Sequence, residues 1–346
     1  MIVVGGEALV DLVPVGRPGA PSARGAAGAR GAAGGVLAPR LGGGPFTVAV
    51  ALGRLGVPAA LLARLSTDAF GAAQLAHLAA AGVDTSMVTR GPEPTALALA
   101  SVGADGSAGY GFYTAGTAAA AFTDPGPLPA GVAAVSLGSL GLVLEPAASA
   151  YQAVLRREAA AGRLVALDPN VRPQLVADPA AYRARFRSWL PSVGLLKLSV
   201  EDAAWLAAGS HHAAPAASVA PAASVAPAES AAPAAPAESV APAAPVAGWL
   251  AAGPRAVVLT RGAAGMTVYT AGGVTVSTPA VPVAVADTIG AGDTVQAALL
   301  AGLYARGALD LALDEPGWRD VLGFAARAAA VTCSRPGADP PWAGEL

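Results

Sequence analysis

The segment Ala286-Asp287-Thr288-Ile289-Gly290-Ala291-Gly292-Asp293-Thr294-Val295-Gln296-Ala297-Ala298-Leu299-Leu300 runs from a glycine-rich turn straight into an apolar pattern of helical spacing. Small residues at Gly290, Ala291 and Gly292 let successive backbone N–H groups converge, and the dipole of the following helix adds partial positive charge. Such a turn can receive an anionic phosphoryl group. Asp293 falls in the first helical turn, where the same field is expected to keep it ionised, leaving a carboxylate beside the anion to take a proton from a hydroxyl. Taken alone, the segment reads equally well as a tight turn followed by an acidic helix start. The chain contains no Gly-x-x-x-x-Gly-Lys-Ser/Thr, and no Gly-x-Gly-x-x-Gly follows its first apolar run. A Walker loop is thereby excluded and a dehydrogenase-type dinucleotide site disfavoured.

Short β-type runs alternate with Ala/Leu-rich helical runs, the pattern of a mainly parallel sheet covered by helices on both faces. The predicted strands are Ile2–Val4, Ala59–Leu65, Ala133–Leu137, Leu164–Leu167, Leu195–Leu198 and Ala256–Leu259; the predicted helices are Phe46–Leu55, Gly71–Ala81, Pro146–Ala161, Pro179–Trp189 and Val200–Ala208, with a long last helical region from about Asp293. Thr95–Phe112 reads as a hairpin around Asp105-Gly106, outside the parallel sheet. Asp168, Asn170 and Arg172 come just past a predicted strand, where open α/β sheets place ligands; Arg172 suits a phosphate or substrate oxygen, or a surface salt bridge.

At 346 residues the chain suits one large α/β domain with a full core. Charged residues are 13% of the chain, against about 25% usually, and the net charge of −2 gives no footprint for nucleic acid or an anionic membrane. The single cysteine, Cys333, allows no internal disulfide, and a cytoplasmic, soluble protein is expected. Gly16–Ala38 and Ser210–Pro245 look like inserts. The second repeats an Ala-Pro-Ala-Ala-Ser-Val theme, with too much proline for helix or sheet, and carries His211 and His212 at its edge as loop residues rather than metal ligands. His77 lies on a predicted helix as a surface or satisfied residue.

Asp287–Leu300 resembles the C-terminal signature of the ribokinase-like (PfkB) carbohydrate kinases, and other segments follow in that family's order. They are Leu41-Gly42-Gly43-Gly44-Pro45-Phe46-Thr47, Ser66-Thr67-Asp68-Ala69-Phe70-Gly71, Leu167-Asp168-Pro169-Asn170-Val171-Arg172, Lys197-Leu198-Ser199-Val200-Glu201-Asp202 and Leu259-Thr260-Arg261-Gly262-Ala263-Ala264-Gly265. The resemblance spans nearly all of the chain except the inserts. It implies a Rossmann-type three-layer α/β sandwich over residues 1–346, with a small β-lid from parts of about 7–45 and 93–117 and a low-complexity insert at 210–245. It implies Asp293 as general base, with Gly290, Ala291 and Gly292 as the anion hole. Asp11, Gly43, Gly44, Thr47, Asn170 and Arg172 are its sugar contacts, and Lys197, Thr260, Gly262, Gly265, Gly290 and Gly292 its nucleotide contacts. Phe324–Ala329 and Ser334–Ala338 resemble the segments flanking adenine. Glu201 and Asp202 would organise Mg²⁺ through water, with ATP as phosphoryl donor, a monovalent cation as a further candidate, and a homodimer formed through the lids.

One position departs from the family pattern: Thr47 stands where an asparagine usually holds a sugar hydroxyl, so that contact is open, and it is the one feature leaning toward a sugar-sensing pseudokinase. Gly6-Glu7-Ala8-Leu9-Val10-Asp11 and Asp168–Pro173 resemble the fructokinase and 2-keto-3-deoxygluconate kinase branch. The neutral Thr114 stands where relatives acting on the acid often carry arginine, which favours fructose, at its 6-hydroxyl.

Overall fold

A computed structural model describes residues 1–15, 36–102, 108–208 and 244–346. Nine strands form the main sheet. They are β1 (Ile2–Gly5), β4 (Ala59–Ser66), β5 (Val88–Gly91), β8 (Ala134–Gly138), β9 (Leu164–Asp168), β10 (Leu195–Ser199), β11 (Ala256–Thr260), β12 (Met266–Thr270) and β13 (Thr275–Thr278). Their order is β13-β12-β11-β10-β9-β8-β1-β4-β5, parallel from β11 to β5, with β12 and β13 antiparallel at one edge. Four others, β2 (Leu9–Val15), β3 (Val36–Gly42), β6 (Ala96–Val102) and β7 (Ala108–Tyr113), make a separate sheet ordered β3-β2-β6-β7.

The central parallel strands are mostly apolar because both faces are covered, with polar residues such as Asp168, Lys197 and Thr260 at or near their carboxyl ends. In β1, Ile2 and Val4 face one core while Val3 faces the other; in β4, Leu61, Ala63 and Leu65 part in the same way from Ala60 and Leu62. The first core is closed by α1 (Gly44–Arg54), α2 (Ala69–Ala80), α7 (Ala291–Ala305) and α8 (Glu315–Cys333), the second by α3 (Ala147–Ala160), α4 (Pro179–Trp189), α5 (Val200–Ala207) and α6 (Ala244–Ala252). Helix starts follow local chemistry. Asp68 accepts from Gly71 N at 2.8 Å, Asp178 caps a helix opening on Pro179, Ser199 and Asp202 form a capping box, and Asp314 accepts from Gly317 N at 2.9 Å.

Each predicted strand and helix is present within a residue or two. The antiparallel pair β6–β7 stands outside the parallel sheet as expected, with its turn residues 103–107 outside the described residues. Three expectations need correction. The last helical region is two helices, because the chain turns at Arg306–Asp314, with Leu311 at φ 62, before Asp314 caps the second. The Ala/Pro insert ends earlier than Pro245: Ala244 and Pro245 open α6, whose Val246 and Trp249 are buried one helical turn apart and pull the segment onto the sheet. The first insert ends by Val36, where β3 begins; its residues 16–35, and residues 209–243 with His211 and His212, lie outside the described residues.

The sheet order fixes where a ligand can sit. From β1 the chain steps outward to β4 and β5 on one side, while β8 to β11 run outward on the other, so the loops after β1 and β8 part and leave a crevice at the carboxyl ends. The small sheet stands over that crevice.

Candidate active site

A cleft of about 270 Å³ opens at this switch point. Its floor comes from the turns that follow the sheet strands: Glu7 after β1, Ser139 after β8, Asn170 and Arg172 after β9, and Lys197 near the end of β10. One wall is the small sheet, through Leu9 and Asp11 of β2, Gly42 of β3 and Phe112 of β7. The other wall is the turn into α7, with Thr288, Gly290, Gly292 and Asp293.

That turn is held by its own aspartate. Asp287 Oδ1 accepts from Ile289 N at 3.0 Å and Oδ2 from Gly337 N at 2.9 Å, tying the loop to the C-terminal segment. Gly290 is left-handed at φ 77, and a Cβ there would lie 2.6 Å from Ala338 Cβ, so only glycine fits. Thr294 N donates to Gly290 O at 2.8 Å and Ala291 N to Thr288 O at 3.3 Å, whereas the N–H groups of Gly292 and Asp293 have no acceptor among the described residues. These are the helix-terminal donors that face an anion.

Gly44 is the point where the turn from β3 into α1 meets the Asp293 carboxylate. A methyl group on it would lie 3.1 Å from Asp293 Oδ1 and 3.3 Å from Asn170 Nδ2. Gly43 beside it is at φ 105, with its would-be Cβ 2.8 Å from Glu7 O. Glu7 staples this turn: it accepts from Gly44 N at 3.2 Å and from Gly141 N at 2.9 Å. Asn170 (φ 41) and Ser139 (φ 55) are held in the left-handed region, a conformation costly enough to persist only where its surroundings impose it. Arg172 is fixed by its Nη1, which donates to Asn170 Oδ1 at 2.7 Å and to the Asn170 carbonyl at 3.0 Å.

Carboxylates crowd the cleft, and burial raises their pKa values. Glu7 is pushed up to about 7 by burial, partly offset by the amides it accepts from. Asp11 rises to about 6 through burial and the charge of Asp293, with Arg172 opposing. Asp168 rises to about 6 through burial, offset by Lys197, whose Nζ lies 2.7 Å from Oδ2. Burial pulls Lys197 down, yet Asp168, Asp293 and Asp202 outweigh it and hold the ammonium charged. Burial also raises Asp293, against Lys197 and Arg172. The expectation that the helix field keeps Asp293 ionised therefore needs an addition: burial opposes the charged form, Lys197 and Arg172 favour it, and a carboxylate with a raised pKa is a stronger base.

Raised carboxylates have a stability consequence. Between the unfolded and folded pKa values the native state holds the extra proton, so these groups make stability fall as pH rises from about 4 to about 7. Asp11→Asn is expected to raise the thermal midpoint by roughly 2–4 °C at about pH 7.5 and by little near pH 4. Thermal melts of both proteins at the two pH values check this; an equal shift at both would remove the burial argument.

The structure brings Asp11, Gly43, Gly44, Thr47, Asn170, Arg172, Lys197, Gly290, Gly292 and Asp293 around one cleft. Ala291 does not line it, and its N–H is turned to Thr288. Thr260, Gly262 and Gly265 lie apart from it: Thr260 ends β11 in register with Ser199, and Gly262 to Gly265 shape the turn into β12, where Gly265 (φ 84) passes close to the backbone of Thr278. Asp202 is committed to structure, accepting from Val171 N at 2.8 Å and Ser199 Oγ at 3.0 Å, and Glu201 is exposed on α5. Neither lines the cleft, and among the described residues no cluster of three His, Cys, Asp or Glu could cage a metal. Thr114, buried just past the end of β7, does not line the cleft, whereas Phe112 of β7 does. His77 stacks on Phe46. Glu7, Ser139 and Phe112 went unassigned in the sequence because no chemical pattern singles out a lone acid, serine or phenylalanine after a strand.

Residues 37–343 match the family model described as pfkB family carbohydrate kinase. The chain is 33% identical over 309 residues to a fructokinase from Rhizobium leguminosarum bv. trifolii, covering 88% of this chain and 79% of that protein. It is 28% identical over 312 residues to a fructokinase from Klebsiella pneumoniae, covering 89% and 86%. Among solved structures, fructokinase with bound ATP from Xylella fastidiosa superposes with a TM-score of 0.79 at 25% identity, over 100% of this chain and 96% of that one.

Proposed function

The chain belongs to the pfkB family of carbohydrate kinases, and from that premise we propose that it transfers the terminal phosphoryl group of ATP to the 6-hydroxyl of fructose. The observation that carries the reading is that Asp293 and the free N–H groups of Gly292 and Asp293 open into the same cleft as Asp11 and Asn170. Asp11 and Asn170 hold sugar hydroxyls, Gly43 and Gly44 allow the sugar close to the backbone, and Phe112 covers an apolar face. Asp293 takes the proton of the acceptor hydroxyl, and the amides of Gly292 and Asp293 receive the oxygens of the transferring group.

The fructokinase relatives and the ATP-bound neighbour support this reading. So does the charge of the cleft, where Glu7, Asp11 and Asp293 face Arg172 and a Lys197 already bonded to Asp168. Such a surface repels an acid sugar and suits a neutral one. Val281, Val283 and Val285, exposed on the segment leading into Asp287, offer an apolar shelf for the nucleotide base. ATP with Mg²⁺ supplies the activated phosphoryl group and neutralises its charge. Mg²⁺ would be held chiefly by phosphates and water, with Glu201 as the exposed acid near the end of β10. Thr47, buried on α1 beside Gly290, is short of the reach of an asparagine and leaves sugar contacts to Asp11 and Asn170.

A sugar panel with purified protein, ATP and Mg²⁺ in a coupled ADP-release assay tests the reading. Fructose is expected to exceed 2-keto-3-deoxygluconate in kcat/KM by at least about tenfold, the worth of one uncompensated charge contact. Comparable turnover of the two would remove the reason for preferring fructose, and no turnover with any sugar would favour a sugar-sensing role. The small sheet acts as the lid that excludes water during transfer. Val36, Leu37 and Tyr113, exposed on that sheet, support a homodimer formed through it. Light scattering checks that, a monomer at all concentrations being the contrary outcome.

A further inference from the structure

Beside the sugar cleft, and sharing Gly44, Asn170 and Asp293 with it, a second cavity of about 10 Å³ is lined by Ser136, Asp168 and Gln296 together with apolar side chains. Two polar atoms of these residues are buried with no hydrogen-bond donor among the described residues: Asp168 Oδ1 and Gln296 Oε1. Both side chains are more than nine-tenths buried, and their other ends are already engaged. Asp168 Oδ2 takes Lys197 Nζ at 2.7 Å, and Gln296 Nε2 donates to Ser136 Oγ at 3.1 Å. Buried polar atoms left bare are rare, and a space of this volume bordered by two residues that carry such atoms admits one water centre.

We infer that this cavity is a site for a single ordered water, which donates to Asp168 Oδ1, joins it to Gln296 and supports Asp293. The chemistry favours water over a cation. Ser136 can donate or accept, so the Gln296 amide can lie either way round; a water serves both orientations because it donates and accepts, whereas a cation serves only one. The positive charge the carboxylates need is already present in Lys197 and Arg172.

Gln296 is then a positioning residue. It lies on α7 one turn past Asp293, touches no part of the sugar cleft, and acts through the water on the Asp168–Lys197 pair and the base. The groups facing Asp293 are Lys197 on β10, Arg172 and Asp168 at the end of β9, Asp11 on β2 and Glu7 after β1. None of these changes when Gln296 is replaced, so a shifted pH profile reports the lost water rather than a lost charge.

A crystal structure of the full chain that resolves ordered waters is the first test, and it does not depend on Asp293 being the base. One density peak about 2.7–3.0 Å from Asp168 Oδ1 and from the Gln296 amide is expected. Direct contact between those two side chains with nothing between them overturns the inference, as does a compact oxygen cage at about 2.3–2.6 Å, which marks a metal ion. The second test rests on the proposed role of Asp293 and uses Gln296→Met, which keeps the volume and removes the polar end. A folded variant is expected to lose the density and about tenfold in kcat, with the acid limb of the kcat profile moved to higher pH and KM for ATP within about twofold. Gln296→Asn, which keeps an amide, is expected to restore part of the rate. An unchanged kcat and pH profile in Gln296→Met overturns the positioning role; if that variant does not fold, the wild-type density decides. Density in a protein inactive on every sugar would sink the proposed function and leave the water site standing.

Discussion

Asp293→Asn is expected to lower kcat by about 10²–10⁴-fold while making the protein more resistant to heat. Asparagine is isosteric with aspartate, keeps a side-chain oxygen beside Gly44 and cannot accept the hydroxyl proton. The gain in stability has its own cause. Asp293 is partly buried at the cleft and raised by desolvation, and its charge also pushes up Glu7, Asp11 and Asp168, so removing it relieves four desolvated or repelling carboxyls together. Binding of ATP is expected to change little, because the free N–H groups of the α7 turn are backbone. A coupled ADP-release assay, nucleotide titration and thermal melts check the three parts. Turnover within a few-fold of wild type would remove Asp293 from the chemistry. Lost activity with an unfolded protein is the opposite of what the electrostatics demand.

How far the site was legible in the sequence follows from how local its parts are. The turn into α7 could be read because all its determinants lie within seven residues: an aspartate that bonds its own loop, a glycine forced to positive φ, and a carboxylate in the first helical turn. The parallel strands could be read for a similar reason, since burial on both faces leaves an unbroken apolar run such as Leu195–Leu196 or Ala256–Leu259. Glu7 could not. Its importance comes from accepting amides 37 and 134 residues away, and no local pattern encodes that meeting. Asp202 shows how a structural role competes with a chemical one. The segment Lys197–Asp202 placed two acids near the end of a strand, which in relatives points toward Mg²⁺, but Ser199 stands three residues earlier and the capping box claims the second acid. Phe112 could not be singled out either: it reaches the cleft because β7 is joined through β6 to β2, a placement no local pattern gives, and Thr114 just beyond the strand does not line the cleft.

Lys197→Met is expected to be the most damaging change to stability in the site, and its pH dependence identifies the cause. Lys197 and Asp168 are both more than nine-tenths buried, and the lysine is the one cation bonded to Asp168. Removing one partner of a buried pair typically costs about 3–5 kcal/mol, because the other charge is left in a medium that cannot solvate it. Asp168 has an escape, however. Its pKa already stands at about 6, so in acid it can take a proton and bury a neutral group instead. The loss from Lys197→Met should therefore be near its full size at about pH 8 and much smaller at about pH 5, where the wild-type pair is itself partly broken. Met fills the space of the alkyl chain, so a cavity does not account for the difference. Denaturant unfolding at the two pH values reads it directly, and equal losses at both would mean that packing rather than charge makes this lysine matter. The same variant tests the catalytic environment. Without Lys197 the attraction that opposes burial at Asp293 falls to Arg172 alone, the carboxyl becomes harder to ionise, and the acid limb of the kcat profile is expected to move to higher pH. A stability loss with an unmoved profile would separate the two roles and confine Lys197 to holding Asp168.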